Sequence, residues 1–296
     1  MSTPRFLDLP PGVTPQKIET SQGAFAALDA VPVSGVIERW PALLVPGLTG
    51  SKEDFIAVLM TLAQSGRRVV AIDLRGQYET PGPDDPSAYT CAALGADIDA
   101  LAQAIGGDDP VHLVGHSFGG LVAREAAIDG RTRFASVTLM SSGPGAIEGR
   151  RAVNARKIVE QVPALGLEAL WQARFEPEAL ARDVPDDIME FLHKRLLSNS
   201  PTGLTHMAGQ VLSAHDRTDE LRQVEVPTLV LFGEHDDGWP PDAQSEMAAA
   251  LGAECVVVPG SVHSPAVEAP ETTAAALVRF WNSAEKHFLD SRSNAV

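Results

Sequence analysis

The chain has 296 residues, of which 44% are hydrophobic and 21% charged, a globular composition long enough for one large core and a small insert. Its 39 acidic and 23 basic residues give a net charge of −16, which repels phosphate backbones and anionic lipid and argues against nucleic-acid or membrane-surface partners. Two cysteines, Cys91 and Cys255, are too few for a disulfide framework or a zinc site, and they read as small buried apolar residues.

The opening stretch, "MSTPRFLDLPPGVTP", has no basic region followed by an apolar segment, so no signal peptide is expected. No apolar run approaches the ~20 residues that span a bilayer. The expectation is a cytoplasmic protein that takes a small-molecule substrate and binds neither nucleic acid nor membrane. "PPGVTPQK" reads as an irregular lead-in. The first strand-like run is "ALLVPG" (42–47), and a helical pattern, "EDFIAVLMTLAQSG", follows it. The second run is "RRVVAIDLRG" (67–76), followed by "CAALGADIDALAQAIGG" with helical spacing. The third is "VHLVGHS" (111–117), which leads into "FGGLVAREAAIDG", where Gly130 is a natural helix stop. "FASVTLMSS" (134–142), "PTLVLFGEHD" (227–236) and "ECVVVPGSVH" (254–263) complete the set. The helical patterns "PDAQSEMAAALG" and "ETTAAALVRFWNSAEKHF" bracket the last of them.

Continuous apolar runs of this length suit strands buried on both faces of a parallel sheet. Their alternation with helices predicts an α/β protein with a doubly wound, mostly parallel sheet. Residues 144–221 break the alternation with helical patterns only, so the expected organisation is a core of 1–143 and 222–296 with a helical lid over 144–221. Trp171, Phe175, Met189, Phe191 and Met207 in that insert are expected to pack it onto the core, with a few lining a ligand pocket. The polar tail "FLDSRSNAV" is expected to fray.

Chemistry concentrates at "HLVGHSFGG" (112–120). Gly115, Ser117 and Gly119 form Gly-x-Ser-x-Gly where a strand hands over to a helix. A sharp turn there strains the serine backbone and presents its hydroxyl at the carboxyl edge of the sheet, where ligands of such sheets bind. The flanking glycines admit close backbone. A serine hydroxyl needs a base, and the base needs an orienting acid. Asp236 follows one later strand and His263 the last one, giving the chain order Ser, Asp, His. Asp237 is an alternative acid. His112 reads as a satisfied core residue, His116 as pointing away from the serine, His193, His206, His215 and His287 as surface or lid groups, and His235 as a neighbour of the acid with no motif claim.

With these pieces in order, the chain resembles the α/β-hydrolase family, on "LLVPGLTGS", "VVAIDLRG", "GHSFGG", "PTLVLFGEHD" and "GSVHSPAVEAPE". The resemblance implies Ser117 as nucleophile, His263 as general base and then acid, and Asp236 as the carboxylate that fixes the imidazole. It also implies an oxyanion hole from the backbone N–H groups of Phe118 and Leu48, and chemistry that uses neither metal nor organic cofactor. Two departures stand out. Pro46-Gly47 replaces the family's His-Gly, removing a side chain that braces the oxyanion loop. "QYETPGPDD" replaces the usual Gly-x-Ser piece after Gly76, with Tyr78 as either a substrate contact or a packed aromatic.

The expected activity is hydrolysis of an ester-like acyl bond of a small-to-medium, largely apolar molecule, with carboxylesterase foremost. Lactonase, thioesterase, carbon–carbon bond hydrolase and perhydrolase share the triad. A lyase or specialised biosynthetic enzyme and a non-catalytic ligand-binding protein are the alternatives from other classes. A serine nucleophile argues against epoxide hydrolase and haloalkane dehalogenase chemistry. kcat/KM should rise with pH along a single limb as His263 loses its proton, near ~6.5.

Overall fold

The computed structural model describes residues 1–132 and 134–293, with side chains to Phe288. Eight strands form one sheet: β1 (Val13–Thr20), β2 (Gly23–Ala30), β3 (Ala42–Val45), β4 (Val69–Ile72), β5 (Val111–His116), β6 (Phe134–Met140), β7 (Thr228–Gly233) and β8 (Glu254–Val258), in the order β1-β2-β4-β3-β5-β6-β7-β8. From β4 to β8 every pairing is parallel, and β1 and β2 pair antiparallel at one edge. The helices are α1 (Ile56–Ala63), α2 (Cys91–Gly106), α3 (Phe118–Asp129), α4 (Gly149–Leu170), α5 (Glu176–Leu180), α6 (Asp186–Leu197), α7 (Pro201–Ser213), α8 (Thr218–Gln223), α9 (Pro241–Leu251), α10 (Pro265–Glu268) and α11 (Pro270–Ser293).

Alternate strand residues feed two cores, as the pleat requires. Leu44, Ala71, Val114 and Leu231 pack with Ile56, Leu59, Leu62, Leu277 and Trp281 of α1 and α11. Leu43, Val45, Leu113, Val137 and Phe232 pack on the other face with α2, α3 and α9. That second core continues without a break into the helices between β6 and β7, through Ile158, Phe191, Leu204 and Met207. Among the described residues no strand interrupts that stretch, as its sequence predicts.

Several expectations fail for identifiable reasons. The N-terminal lead-in is the hairpin β1–β2. In β1 only Val13 and Ile18 are buried, and β2 is rich in alanine, so neither carries the apolar run of a central strand. β8 is an edge strand with a neighbour on one side only, and most of it is exposed. Cys255 lies on it and is exposed, and Cys91 is half-buried, so neither cysteine is a fully buried core residue. The tail does not fray at His287, because α11 runs to Ser293; residues 294–296 lie outside the described residues.

Parallel strands bring their carboxyl ends to one rim, and two ionic clusters fix the loops there. The Lys52 backbone N–H and ammonium both donate to Asp73, each at 2.8 Å, tying the loop after β3 to the loop after β4. Burial opposes the Lys52 charge, but Asp73 and Glu53 outweigh it and raise its pKa. Arg195 of α6 donates to Asp54 at 2.8 Å, and both side chains are buried. This pair pins the helical segment to the chain just beyond the β3 loop. Arg195→Met should strand the Asp54 carboxylate without a counter-charge and cost about 3–5 kcal/mol. Urea unfolding would read this as a lower midpoint, and a change below about 1 kcal/mol would show that the pair contributes little.

Candidate functional site

Ser117 sits at the turn from β5 to α3 with φ 54° and ψ −120°, a conformation that side-chain-bearing residues rarely adopt. Its N–H donates to the Met140 carbonyl at 2.8 Å, and its carbonyl accepts from the Gly120 N–H at 2.9 Å. The neighbouring glycines are steric necessities. A Cβ on Gly115 would strike the Gly119 carbonyl, one on Gly119 the Val45 and Pro46 carbonyls, and one on Gly120 the Ser142 side chain. The alternation in "GHSFGG" therefore lets three backbone segments close around one hydroxyl.

His263 and Asp236 arrive from the loops after β8 and β7. Imidazole Nε2 lies 2.9 Å from Ser117 Oγ, and Nδ1 lies 2.8 Å from Asp236 Oδ1. A carboxylate at Nδ1 fixes the proton there, so Nε2 faces the serine hydroxyl as an acceptor. Asp236 also accepts the Gly238 N–H at 2.8 Å. Asp237, the alternative acid, pairs with Arg150 and Arg151 of α4, and His263 Nδ1 takes Asp236 rather than Asp237 as its partner. All three side chains of the predicted triad are buried.

The surroundings set the charge state. Burial alone would raise the Asp236 carboxyl, but the His263 imidazole, the Gly238 N–H and the Ser141 hydroxyl hold it below the usual carboxylate range. Burial is the largest influence on His263, and the Arg151 charge adds to it. Together they outweigh Asp236 and Asp237 and leave the imidazole below its ordinary 6.5, so the expectation of an unshifted base does not hold.

Three residues that the sequence does not single out hold this geometry. His116 Nε2 lies 2.7 Å from the His263 carbonyl. Burial pushes the His116 pKa down to about 3, so Nε2 donates to that carbonyl from a neutral ring. The Glu268 carboxylate gathers the Ser261 hydroxyl and the Val262 and Ser264 N–H groups, on both sides of His263. Gln77 is fully buried, and its Nε2 donates to both the Gly47 and the Leu48 carbonyls at 2.9 Å. In a trans peptide the N–H points opposite the C=O, so holding the Gly47 carbonyl turns the Leu48 N–H away from Gln77.

Leu48, Phe118, Ser117 and His263 line one cavity of about 80 Å³, room for about three waters at ~30 Å³ each. Among the described residues neither the Leu48 nor the Phe118 N–H donates to a protein acceptor. Ile147, Ile158, Phe175 and Val211 form apolar walls, and Arg151 and Asn154 add polar groups. Of the aromatic and Met residues expected to reach a pocket, Phe175 does so. Tyr78 is a packed aromatic, edge-on to Phe191 with centroids 5.7 Å apart and beneath the Lys52 ammonium. His112 is buried and bonds to Ser136 of β6 and to Glu285 of α11, as a satisfied core residue. Asp236, Asp237 and His263 bring ligand-type atoms within 4.8 Å of one another. Each is engaged, however, and the two guanidiniums on Asp237 would repel a cation.

Comparison with known proteins gives a consistent fold and a range of activities. Residues 41–270 match the model of the alpha/beta hydrolase fold family. A proline iminopeptidase of Saccharolobus solfataricus is 25% identical over 240 residues, 73% of this chain and 76% of that protein. A non-heme haloperoxidase of Rhodococcus erythropolis is 27% identical over 263 residues, 82% of this chain and 92% of that protein. A thermophilic esterase from Thermogutta terrifontis, solved with malate bound, superposes with a TM-score of 0.72 at 27% identity, covering 92% of this chain and 99% of that one. Among the described residues no helix is long and apolar enough to cross a membrane.

The electrostatics of His263 can be checked without any substrate. Its imidazole resonances, followed by NMR, should titrate below 6.5, and Arg151→Gln should move the midpoint upward by removing a nearby positive charge. A wild-type midpoint at or above 6.5, or no response to the variant, would contradict this picture.

Proposed function

As a member of the α/β-hydrolase fold family, this chain acts, we propose, as a serine hydrolase that cleaves a small ester-like acyl bond through an acyl-enzyme. The observation that carries the proposal is the unbroken relay from Ser117 Oγ to His263 Nε2 at 2.9 Å and from Nδ1 to Asp236 at 2.8 Å, opening into a cavity. In this mechanism Ser117 attacks the acyl carbonyl while His263 Nε2 takes its proton, and Asp236 stabilises the imidazolium. The oxyanion is held by the Leu48 and Phe118 N–H groups, both unoccupied by protein acceptors among the described residues. The imidazolium then gives its proton to the departing alcohol, and water releases the acyl group by the same route. Residues 144–221 serve as the lid, since Ile147, Arg151, Ile158, Phe175 and Val211 from that stretch line the cavity above the serine. Lactone, thioester and carbon–carbon cleavage and perhydrolysis draw on the same relay. The small volume beside the serine favours short acyl chains among esters.

A fluorophosphonate probe should label Ser117 rapidly, and Ser117→Ala should abolish labelling. On p-nitrophenyl esters of increasing length, activity should peak at short chains, and Ser117→Ala and His263→Ala should each remove nearly all of it. Because the folded-state pKa of His263 is lowered, its neutral, proton-accepting form persists into mildly acidic solution. The rising limb of kcat/KM should therefore have its midpoint below 6.5. Absent labelling together with absent hydrolysis across the panel would exclude the proposal.

Gln77 enters as a positioning residue for the Leu48 N–H. Removing a whole oxyanion donor costs about 10²–10³ in kcat, so Gln77→Leu, which only loosens one, should cost roughly tenfold to a hundredfold. The loss should fall on kcat with KM little changed. An equal loss confined to KM would assign Gln77 to substrate binding instead.

A further inference from the structure

We infer that Arg151 makes the cavity a carboxylate-recognising site, so that the preferred substrate is a small ester or lactone carrying a free carboxylate. This deepens the hydrolase reading and rests on it. Arg151 lies on the face of α4 that also presents Asn154, Ala155 and Ile158 to the cavity holding Ser117 and His263. It is close to the reacting groups, since a Cβ built on Gly238 would meet His263 Cε1 at 2.5 Å and Arg151 Cδ at 3.3 Å. Its charge is felt by both His263 and His116.

The guanidinium has capacity to spare. Arg151 gives only its Nε to Asp237, and among the described residues its two terminal nitrogens donate to no protein group. Arg150 pairs with the same carboxylate at 2.5 Å. Two guanidiniums sharing one carboxylate leave that trio with one net positive charge. Arg195 pairs with Asp54 and Arg174 with Glu178, and the Met1 amino group, which lines the same cavity, is pushed down to about 5 by burial and the Arg151 charge. A guanidinium with a free fork, in a cavity whose lining mixes apolar walls with polar groups, suits a molecule with an apolar body and an anionic end. A guanidinium fork with Nη1 and Nη2 free is shaped for the two oxygens of a carboxylate. Asn154 stands one turn further along α4 as a neutral polar neighbour, its Oδ1 already accepting from Arg174 at 2.9 Å.

The experiment compares matched pairs of esters in the full-length protein. Mono-p-nitrophenyl glutarate against p-nitrophenyl valerate places the carboxylate on the acyl side, and 4-acetoxybenzoate against phenyl acetate places it on the leaving group. The wild-type kcat/KM ratio should favour the anionic member of at least one pair by tenfold or more. Arg151→Gln should reduce that ratio about tenfold, chiefly through KM, and Arg151→Lys should retain part of it. Because the ratio is taken within one protein sample, a partly misfolded variant does not distort it. Equal rates within both pairs, or a preference unchanged in Arg151→Gln, overturns the inference while leaving the hydrolase reading intact. Calorimetry with glutarate tests the site separately from turnover. Binding by the wild type, weakened at least tenfold in Arg151→Gln, supports the site even if no ester is cleaved; no binding, together with no anionic preference, ends it.

Discussion

The structure depends on a strained backbone at one residue. Ser117 holds a positive φ that an ordinary residue avoids at a cost of about 1–3 kcal/mol, and it is held there by the absence of side chains on Gly115, Gly119 and Gly120. Those three positions do more than permit the turn. Gly119 rests on the Val45 and Pro46 carbonyls, which brings the loop after β3 beside the serine, and Gly120 rests on Ser142 beyond the end of β6. A side chain at Gly119 would open a gap between the hydroxyl and the loop carrying Leu48, and one at Gly120 would push away the segment after β6. The sheet supplies the rigidity that offsets the strain, since β5 is central, buried throughout and flanked by β3 and β6.

What could be read in the sequence divides along a physical line. Ser117, Asp236 and His263 each follow an apolar strand and meet through their own side chains, so strand periodicity, residue type and the family's spacing were enough to propose them together. Gln77, His116 and Glu268 act on backbone atoms of segments that are remote in sequence or shaped by local turns. Nothing in the local spelling announces a carbonyl as a partner, and His116 was expected only to face away from the serine. The missing His-Gly histidine left the loop after β3 without a visible brace. The chain instead holds that loop's carbonyls with Gln77, in the very segment where it departs from the family's usual spelling. The hairpin β1–β2 escaped because strands exposed on one side do not need the apolar run that marks a central one, and β8 misled because it carries such a run at an exposed edge.

The helical segment shows why overall charge says little about a site. A chain with a net charge of −16 should repel anions at long range, yet free charges are screened beyond roughly 8–10 Å in ordinary salt. Within that distance the cavity faces an arginine whose countercharge is shared. The apolar core running from α2 and α3 into α4, α6 and α7 holds that arginine in place, and the buried Arg195–Asp54 pair fixes the far side of the same segment. Packing thus decides which few charges the cavity feels.

Asp236, Asp237 and Gly238 stand consecutively and have three tasks that cannot be exchanged. The first carboxylate meets the imidazole, the second meets two guanidiniums, and the glycine donates its N–H to the first while leaving room for the imidazole edge. Losing or gaining one residue in this tripeptide would put the wrong group in every berth at once, setting a carboxylate or a side chain where only bare backbone fits. Drift in this lineage should therefore tolerate changes of length on either side of these three positions far more readily than within them.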